Sequence, residues 1–216
     1  MTKLIKKEFS LSMHPIVPLM VLLSAMVLIP NYPYLVMYFY VSMAVFFTCL
    51  LGRENNDIVY SVNLPVRKDN IVKARILFSV IIEIVQMILM IPFALVRANM
   101  DLPGNQAGMD ANLTLFAYGF IVYGIFNLVF FGSYYKNVNK VGIAFVKTSV
   151  IIFICVAIDV ATSIVVPFIR DYLDTPDLEF MGYKVAALAV GILIYIILTL
   201  GVCKISVKNF DKQDLN

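Results

Sequence analysis

The chain has no tryptophan and a single histidine, His14, and only 14% of its 216 residues are charged. One imidazole is too few for a histidine-rich zinc site, and its placement does not suit a Ser/His/Asp triad. Neither HExxH nor GxxxxGK[ST] occurs. Zincin-type hydrolysis and P-loop ATP hydrolysis are therefore excluded for this chain. The three cysteines, Cys49, Cys155 and Cys203, lie in apolar stretches without metal-like spacing. They read as small buried hydrophobes, and no structural disulfide or metal site is expected. The opening MTKLIKKEFS does not run into a short apolar core with a small-residue cleavage site, so no cleaved signal peptide is expected.

What the chain has in abundance is apolar side chains, 61% of the total. A soluble domain is nearer half apolar and a quarter charged. A single domain of this length cannot hide that much apolar surface from water, so lipid is the expected solvent. Each bilayer span takes roughly 20 apolar residues. The apolar runs place six spans at about 15–30, 34–51, 74–96, 112–132, 144–168 and 185–203. The expected fold is all-α: one transmembrane domain over 1–216, with Pro92 as a kink in the third span. Residues 1–10 carry Leu4, Ile5 and Phe9 on one side and Lys3, Lys6 and Lys7 mainly elsewhere, as in an interfacial helix on the inner leaflet. His14 sits at the entrance of the first span, where an interfacial role is expected.

Basic residues fix the expected orientation. Of the 17 Lys and Arg, all except Arg97, Arg170 and Lys184 fall in segments that six spans place on one side, together with both termini. That side is read as cytoplasmic. Lys147, one turn into the fifth span, is expected to snorkel to the inner headgroups. Nothing in the pattern points to nucleic acid.

Two acids lie inside spans, Glu83 and Asp159. An acid near the bilayer centre costs about 2.5–3.5 kcal/mol on insertion scales, so each should face protein or a wet cavity. Gln86 shares the face of Glu83, Thr162 and Ser163 share that of Asp159, and Tyr123 and Asn127 form another i, i+4 pair. These positions are candidates for a cavity or gate. The alternative reading is hydrogen-bonded glue between helices.

The segment RENNDIVYSVNLPVRKDNIVKAR, 53–75, is too polar to cross a membrane and too long for a simple turn. Ile58, Val59 and Val62 on one side predict a short amphipathic helix that Pro65 ends. Asp69 or Asn70 can cap the next helix, which runs into the third span. The whole is a bent hairpin suited to docking on a soluble partner, or to packing on headgroups.

This segment resembles the coupling region of ABC-2-type transporter permeases, in which spans two and three are joined by an acidic residue, then Leu-Pro-hydrophobic-x-basic, then an Ile-Val-x-small-basic run. Glu54, Leu64, Pro65, Val66, Arg67, Ile71, Val72, Ala74 and Arg75 occupy those positions. Phe131 and Gly132 at the end of the fourth span, and Ser206, Phe210 and Asp214 in the tail, are similar to the family's pattern. The resemblance implies the transmembrane half of an exporter, with the segment 54–63 as the coupling helix. Glu54, Asn55, Asp57, Ile58, Val59, Val62, Leu64, Pro65 and Arg67 would be its contact positions on a separate ATPase. It also implies a second permease subunit, identical or paralogous, ATP and Mg on the ATPase, a bacterial cytoplasmic membrane, and an amphipathic peptide-like or lipid-like substrate. Small outer loops suit export, and the 16 Phe and 12 Tyr suit an apolar cavity. Two other functions stay open at this point: a proton-linked carrier using Glu83 and Asp159, and a membrane scaffold or sensor.

Overall fold

Ordered along the chain, the computed structural model describes residues 1–100, 104–175 and 180–213, and every regular element among them is helical. Helix α1, Thr2–Lys7, runs on into a π-helical turn, Glu8–Ser12. Helix α2, Val17–Leu22, carries Pro18 in its first turn, where a missing N–H costs nothing, and tightens into a 3₁₀ stretch, Leu23–Leu28. The axis bends by 93° between Thr2–Ser12 and Val17–Leu28. Next come α3, Val36–Glu54, the short α4, Asp57–Val62, and the long α5, Lys68–Ala98. Helix α6 covers Leu113–Tyr134, α7 Val141–Val165 and α8 Met181–Phe210. A 3₁₀ turn, Val138–Lys140, leads into α7, and a π-helical turn, Ile169–Leu173, follows it.

Five of these helices, α3, α5, α6, α7 with its leading turn, and α8, are long and apolar enough to cross a membrane. The expected first span is not one helix. Its α-helical and 3₁₀ parts total about 21 Å from their rises per residue, short of the ~30 Å hydrocarbon core. Only when the bent pair Thr2–Ser12 and Val17–Leu28 is taken as one span does the count reach six. Pro92 lies inside α5, which continues through it as one helix. Asp214 lies outside the described residues.

Helix α6 is the centre of the bundle: 56% of its most apolar stretch is buried, against 22% for α7 and 17% for α8. The chain permits this by keeping α6 narrow where neighbours cross. A Cβ on Gly119 would collide with the Tyr38 ring, and one on Gly124 would lie 3.2 Å from the Tyr195 Cα. On α8, a Cβ at Gly191 would lie 2.5 Å from the Ala117 carbonyl oxygen. The rest of α6 is filled by aromatics at helical spacing. Phe126, Phe130 and Tyr134 stack at 5.1 and 5.8 Å, and Tyr135 meets Phe210 edge-on at 5.5 Å. Tyr134 and Tyr135, just beyond the expected end of the fourth span at 132, are buried core. The outward faces of α7 and α8 are rows of exposed Ile, Val, Leu and Phe, among them Val150, Ile154, Leu193 and Ile197. Such faces suit lipid contact.

Candidate functional site

Three polar clusters sit at different heights in this apolar bundle. The first is at the elbow between α3 and α5. Asn56 takes a left-handed conformation (φ 50°), which Asn tolerates better than most residues, and so turns the chain sharply from α3 into α4. That turn points Asp57 inward. Arg75, on the second turn of α5 and almost wholly buried, donates to Asp57 and forms an ion pair with Glu8. Lys7 pairs with Asp57 and Glu8 and donates to the Ser61 hydroxyl at 2.8 Å. Two cations and two anions thus tie the N-terminal helix, α4 and α5 into one unit. Gly52 on α3 leaves room for the Arg75 guanidinium, 3.2 Å from where its Cβ would stand. Burial alone would raise the Asp57 carboxyl, but Arg75 and Lys7 beside it outweigh burial and hold it below the ordinary aspartate value.

The elbow departs from its sequence reading in several ways. The α3 helix reaches Glu54, and α4 spans Asp57–Val62 in place of one helix over 54–63. Ile58 and Val59 do not share a face: Ile58 is buried with Ser61, Val62 is half-buried, and Val59 and Tyr60 are exposed. Glu54, Asn55, Pro65 and Arg67 are exposed and Leu64 is half-buried. Neither Asp69 nor Asn70 caps α5. The helix begins at Lys68 without a side-chain cap, and Asp69 instead holds Arg67 at 3.1 Å and Lys73 at 2.8 Å. The N-terminal helix does more than lie on a surface: Leu4 is buried, Phe9 meets Phe78 at 4.9 Å, and Glu8 is 1% exposed. Glu8 and Lys7 are the elbow residues that sequence reading missed. A recess of about 170 Å³ lies beside them, walled by Lys7, Leu11, Ser12, Gly52, Asp57 and Tyr60.

The second cluster is at mid-bundle. Glu83 accepts from the Ser79 hydroxyl at 2.9 Å, the Asn127 amide at 3.0 Å and the Tyr195 hydroxyl at 2.6 Å. Asn127 also donates to Thr199 at 3.3 Å. The cluster is buried and joins α5, α6 and α8. Gln86 donates to the Met37 carbonyl of α3 at 3.1 Å. Tyr123 does not join Asn127: it packs edge-on against Tyr38 at 5.3 Å, and its hydroxyl has no hydrogen-bond partner among the described residues.

Asp159 belongs to a third cluster, toward the end of the bundle opposite the elbow. Its carboxylate accepts the Met109 backbone N–H, and a Cβ on Gly108 would lie 3.0 Å from it. Loop 104–112 is otherwise held by side chains. Asn105 donates to the Tyr32 and Met109 carbonyls, and Asp174 accepts the Asp110 N–H at 2.6 Å. Asn112 caps α6 through the Thr114 and Leu115 N–H groups and donates to the Leu173 carbonyl. Lys184 donates to the Thr175 carbonyl at 2.6 Å. Burial lifts Asp174 to about 7: the Asp110 N–H and Lys184 oppose the rise, and the Asp110 and Asp159 carboxylates add to it. Thus Glu83 and Asp159, paired as candidates by their burial in spans, stand in separate networks.

No group of three or more His, Cys, Asp or Glu able to hold a metal occurs among the described residues. Compared with protein-family models, with characterised proteins and with solved structures, the chain matches none.

Proposed function

We propose that the chain is the transmembrane permease subunit of an ATP-driven ABC exporter, moving amphipathic or hydrophobic peptides out of or across the cytoplasmic membrane of a bacterium. In this reading the bent α1–α2 pair completes a sixth span, and both termini and the elbow face the cytoplasm. A second permease subunit and separate ATPase subunits carrying ATP and Mg complete the transporter.

The observation that carries this reading is the construction of the elbow. Helix α4 exposes Val59 and Tyr60 while its inner side, through Asp57, is locked to Arg75. A load applied to the exposed side passes through an ion pair directly into α5. At 31 residues α5 is about 46 Å long, so a small tilt at its base becomes a displacement at the far end. A helix that only rested on headgroups would have no use for a four-charge lock to a span.

The carrier reading draws less support. Glu83 already accepts three hydrogen bonds, and Asp159 holds a loop. Both arrangements speak for helix and loop packing.

The test is purification of the tagged chain from its native membrane in mild detergent. The exporter reading expects a second, P-loop-containing subunit and vanadate-sensitive ATP hydrolysis in the purified material. A chain that purifies alone, without ATP hydrolysis, under conditions that keep its own fold intact would overturn it.

A further inference from the structure

The ends of α7 and α8 away from the elbow meet in a cluster of four rings. Phe168 stands at the start of the π-helical turn Ile169–Leu173, Tyr172 within it, and Phe180 and Tyr183 at the start of α8. Phe168 stacks on Tyr172 at 5.5 Å, and Tyr172 meets Phe180 edge-on at 4.7 Å and Tyr183 at 5.9 Å. Phe180 holds a left-handed backbone (φ 57°), which a bulky side chain rarely adopts. Although they touch one another, all four side chains are exposed. Arg170 and Asp171, paired at 2.8 Å, are exposed on the same turn.

Two helices measure the height of this cluster independently. On α8, Tyr183, Val190, Ile197 and Lys204 stand seven residues apart, which keeps them near one face, and all four are exposed. From Tyr183 to Lys204 the helix rises about 32 Å, against ~30 Å for a hydrocarbon core. On α7, Lys147, Ile154 and Ala161 repeat the seven-residue step and are exposed as well. From Lys147 to the end of α7 at Val165 the rise is about 27 Å, and the helix breaks at Val166, just before Phe168. Each row therefore runs from a lysine, through one hydrocarbon thickness of apolar side chains, to the rings, with a charged pair beside them.

That order of polarity is the profile of a bilayer. A partner subunit covers one side of a bundle and imposes no fixed spacing between rings and lysines. The same spacing on two helices that each pack on α6 points to a layer surrounding the molecule. Tyr172 and Tyr183 also bring rings with a polar tip, the kind of side chain enriched at headgroup level.

We propose that Phe168, Tyr172, Phe180 and Tyr183 anchor the chain in the headgroup layer of the leaflet opposite the elbow, with the turn Ile169–Leu173 lying in that layer. Lys147 and Lys204 reach the headgroups of the other leaflet. Together the two layers fix the depth of α7 and α8, which span length alone does not. This inference rests on the membrane reading of the bundle and not on the exporter reading.

The chain has no tryptophan, so a single one introduced into it reports on its own surroundings. Tyr172→Trp, Tyr183→Trp and Leu193→Trp are made in the full-length protein. Leu193 is exposed and lies about 15 Å along α8 from Tyr183, at the middle of the core. Each variant is reconstituted in phosphatidylcholine vesicles whose acyl chains carry bromine either near the glycerol or near the methyl end. Fluorescence quenching is measured in both, with iodide as the aqueous quencher. Bromine near the glycerol should quench Tyr172→Trp and Tyr183→Trp more than bromine near the methyl end does, and Leu193→Trp should show the reverse order. Quenching at 172 and 183 by iodide alone would put the cluster in water, and stronger quenching from the methyl end would put it in the core. Quenching by neither would put it under another protein subunit. Each of these three outcomes overturns the proposal. Loss of bromine quenching at Leu193→Trp as well would overturn the membrane reading on which it rests.

Discussion

Arg75 on α5 donates to Asp57 on α4, 18 residues earlier in the chain, across a turn that Asn56 makes possible. The same guanidinium holds Glu8 from the N-terminal helix. Lys7 also joins the N-terminal helix to Asp57, but among the described ion pairs only Arg75 ties these two acids to α5. Removing one partner of a buried ion pair leaves an uncompensated charge, which costs about 3–5 kcal/mol. Arg75→Gln is therefore expected to lower the thermal midpoint of the detergent-solubilised protein strongly. Lys73→Gln, which removes a partly exposed partner of Asp69, should cost less than about 1 kcal/mol. A differential scan of both variants checks the ordering.

The Asp57 carboxyl titrates below its ordinary value in the folded protein, because Arg75 and Lys7 outweigh the effect of burial. A depressed folded value contributes stability above the unfolded value of about 3.9, and that contribution is lost as pH falls through the folded value. Asp174 has the opposite sign. Its folded value of about 7 is raised, so its contribution is fully present below about pH 4 and is lost as pH rises through 7. Hydrogen exchange in 104–112, corrected for intrinsic rate, should therefore speed up between pH 5 and pH 8. Asp174→Asn should flatten that dependence. A pH-independent exchange rate in the unaltered protein would contradict the assignment.

The Glu83–Tyr195 hydrogen bond joins residues 112 positions apart at the centre of the bundle. Interhelical bonds of this kind contribute about 0.6 kcal/mol on average and up to ~1.7 in membrane proteins. A double-mutant cycle of Glu83→Gln and Tyr195→Phe should return a coupling in that range. In a reconstituted transport assay, Glu83→Gln should leave the pH dependence unchanged. A shifted pH profile would revive the proton-linked reading.

Close approach of α6 and α8 gives a packing prediction. Gly191 faces the Ala117 backbone, which cannot move aside as a side chain could, whereas Gly201 has open space around it. Gly191→Ala should destabilise by about 1–3 kcal/mol through overpacking. Gly201→Ala should be neutral or stabilise by up to ~1 kcal/mol, because alanine loses less backbone freedom on entering a helix. Thermal midpoints of the two single variants make the comparison.

The long helices were legible because bilayer length and apolar composition are strong constraints, and α3 and α5–α8 lie where the apolar runs fall. The first span was legible only in part: the run at 15–30 is helical over Val17–Leu28, but its 3₁₀ half and the 93° bend that precedes it, at His14 and Pro15, do not show in composition. At the elbow, the position of the turn was visible in Pro65 and the polar run. Its inward face was not, because Asp57 pairs with Lys7 and Arg75 through tertiary contacts that no local period encodes. One signal was available: Glu8 is the only acid among the first ten residues, beside Lys7, and a lone acid in a basic amphipathic segment asks for a partner. Asp159 read as an acid inside a span because it lies within the apolar run at 144–168. Its role in holding Met109 depends on how loop 104–112 folds back, which spacing does not show.

The central claim is that the exposed side of α4 is where an ATPase pushes. The most direct measurement is ATP hydrolysis co-purified with the tagged chain, compared with a Val59→Asp, Tyr60→Asp double variant. Both side chains are exposed, so the substitutions leave the bundle intact, which a thermal scan verifies. The account predicts that the variant retains its thermal midpoint and loses most of the co-purified hydrolysis. Equal hydrolysis with the variant and the unaltered chain would contradict it.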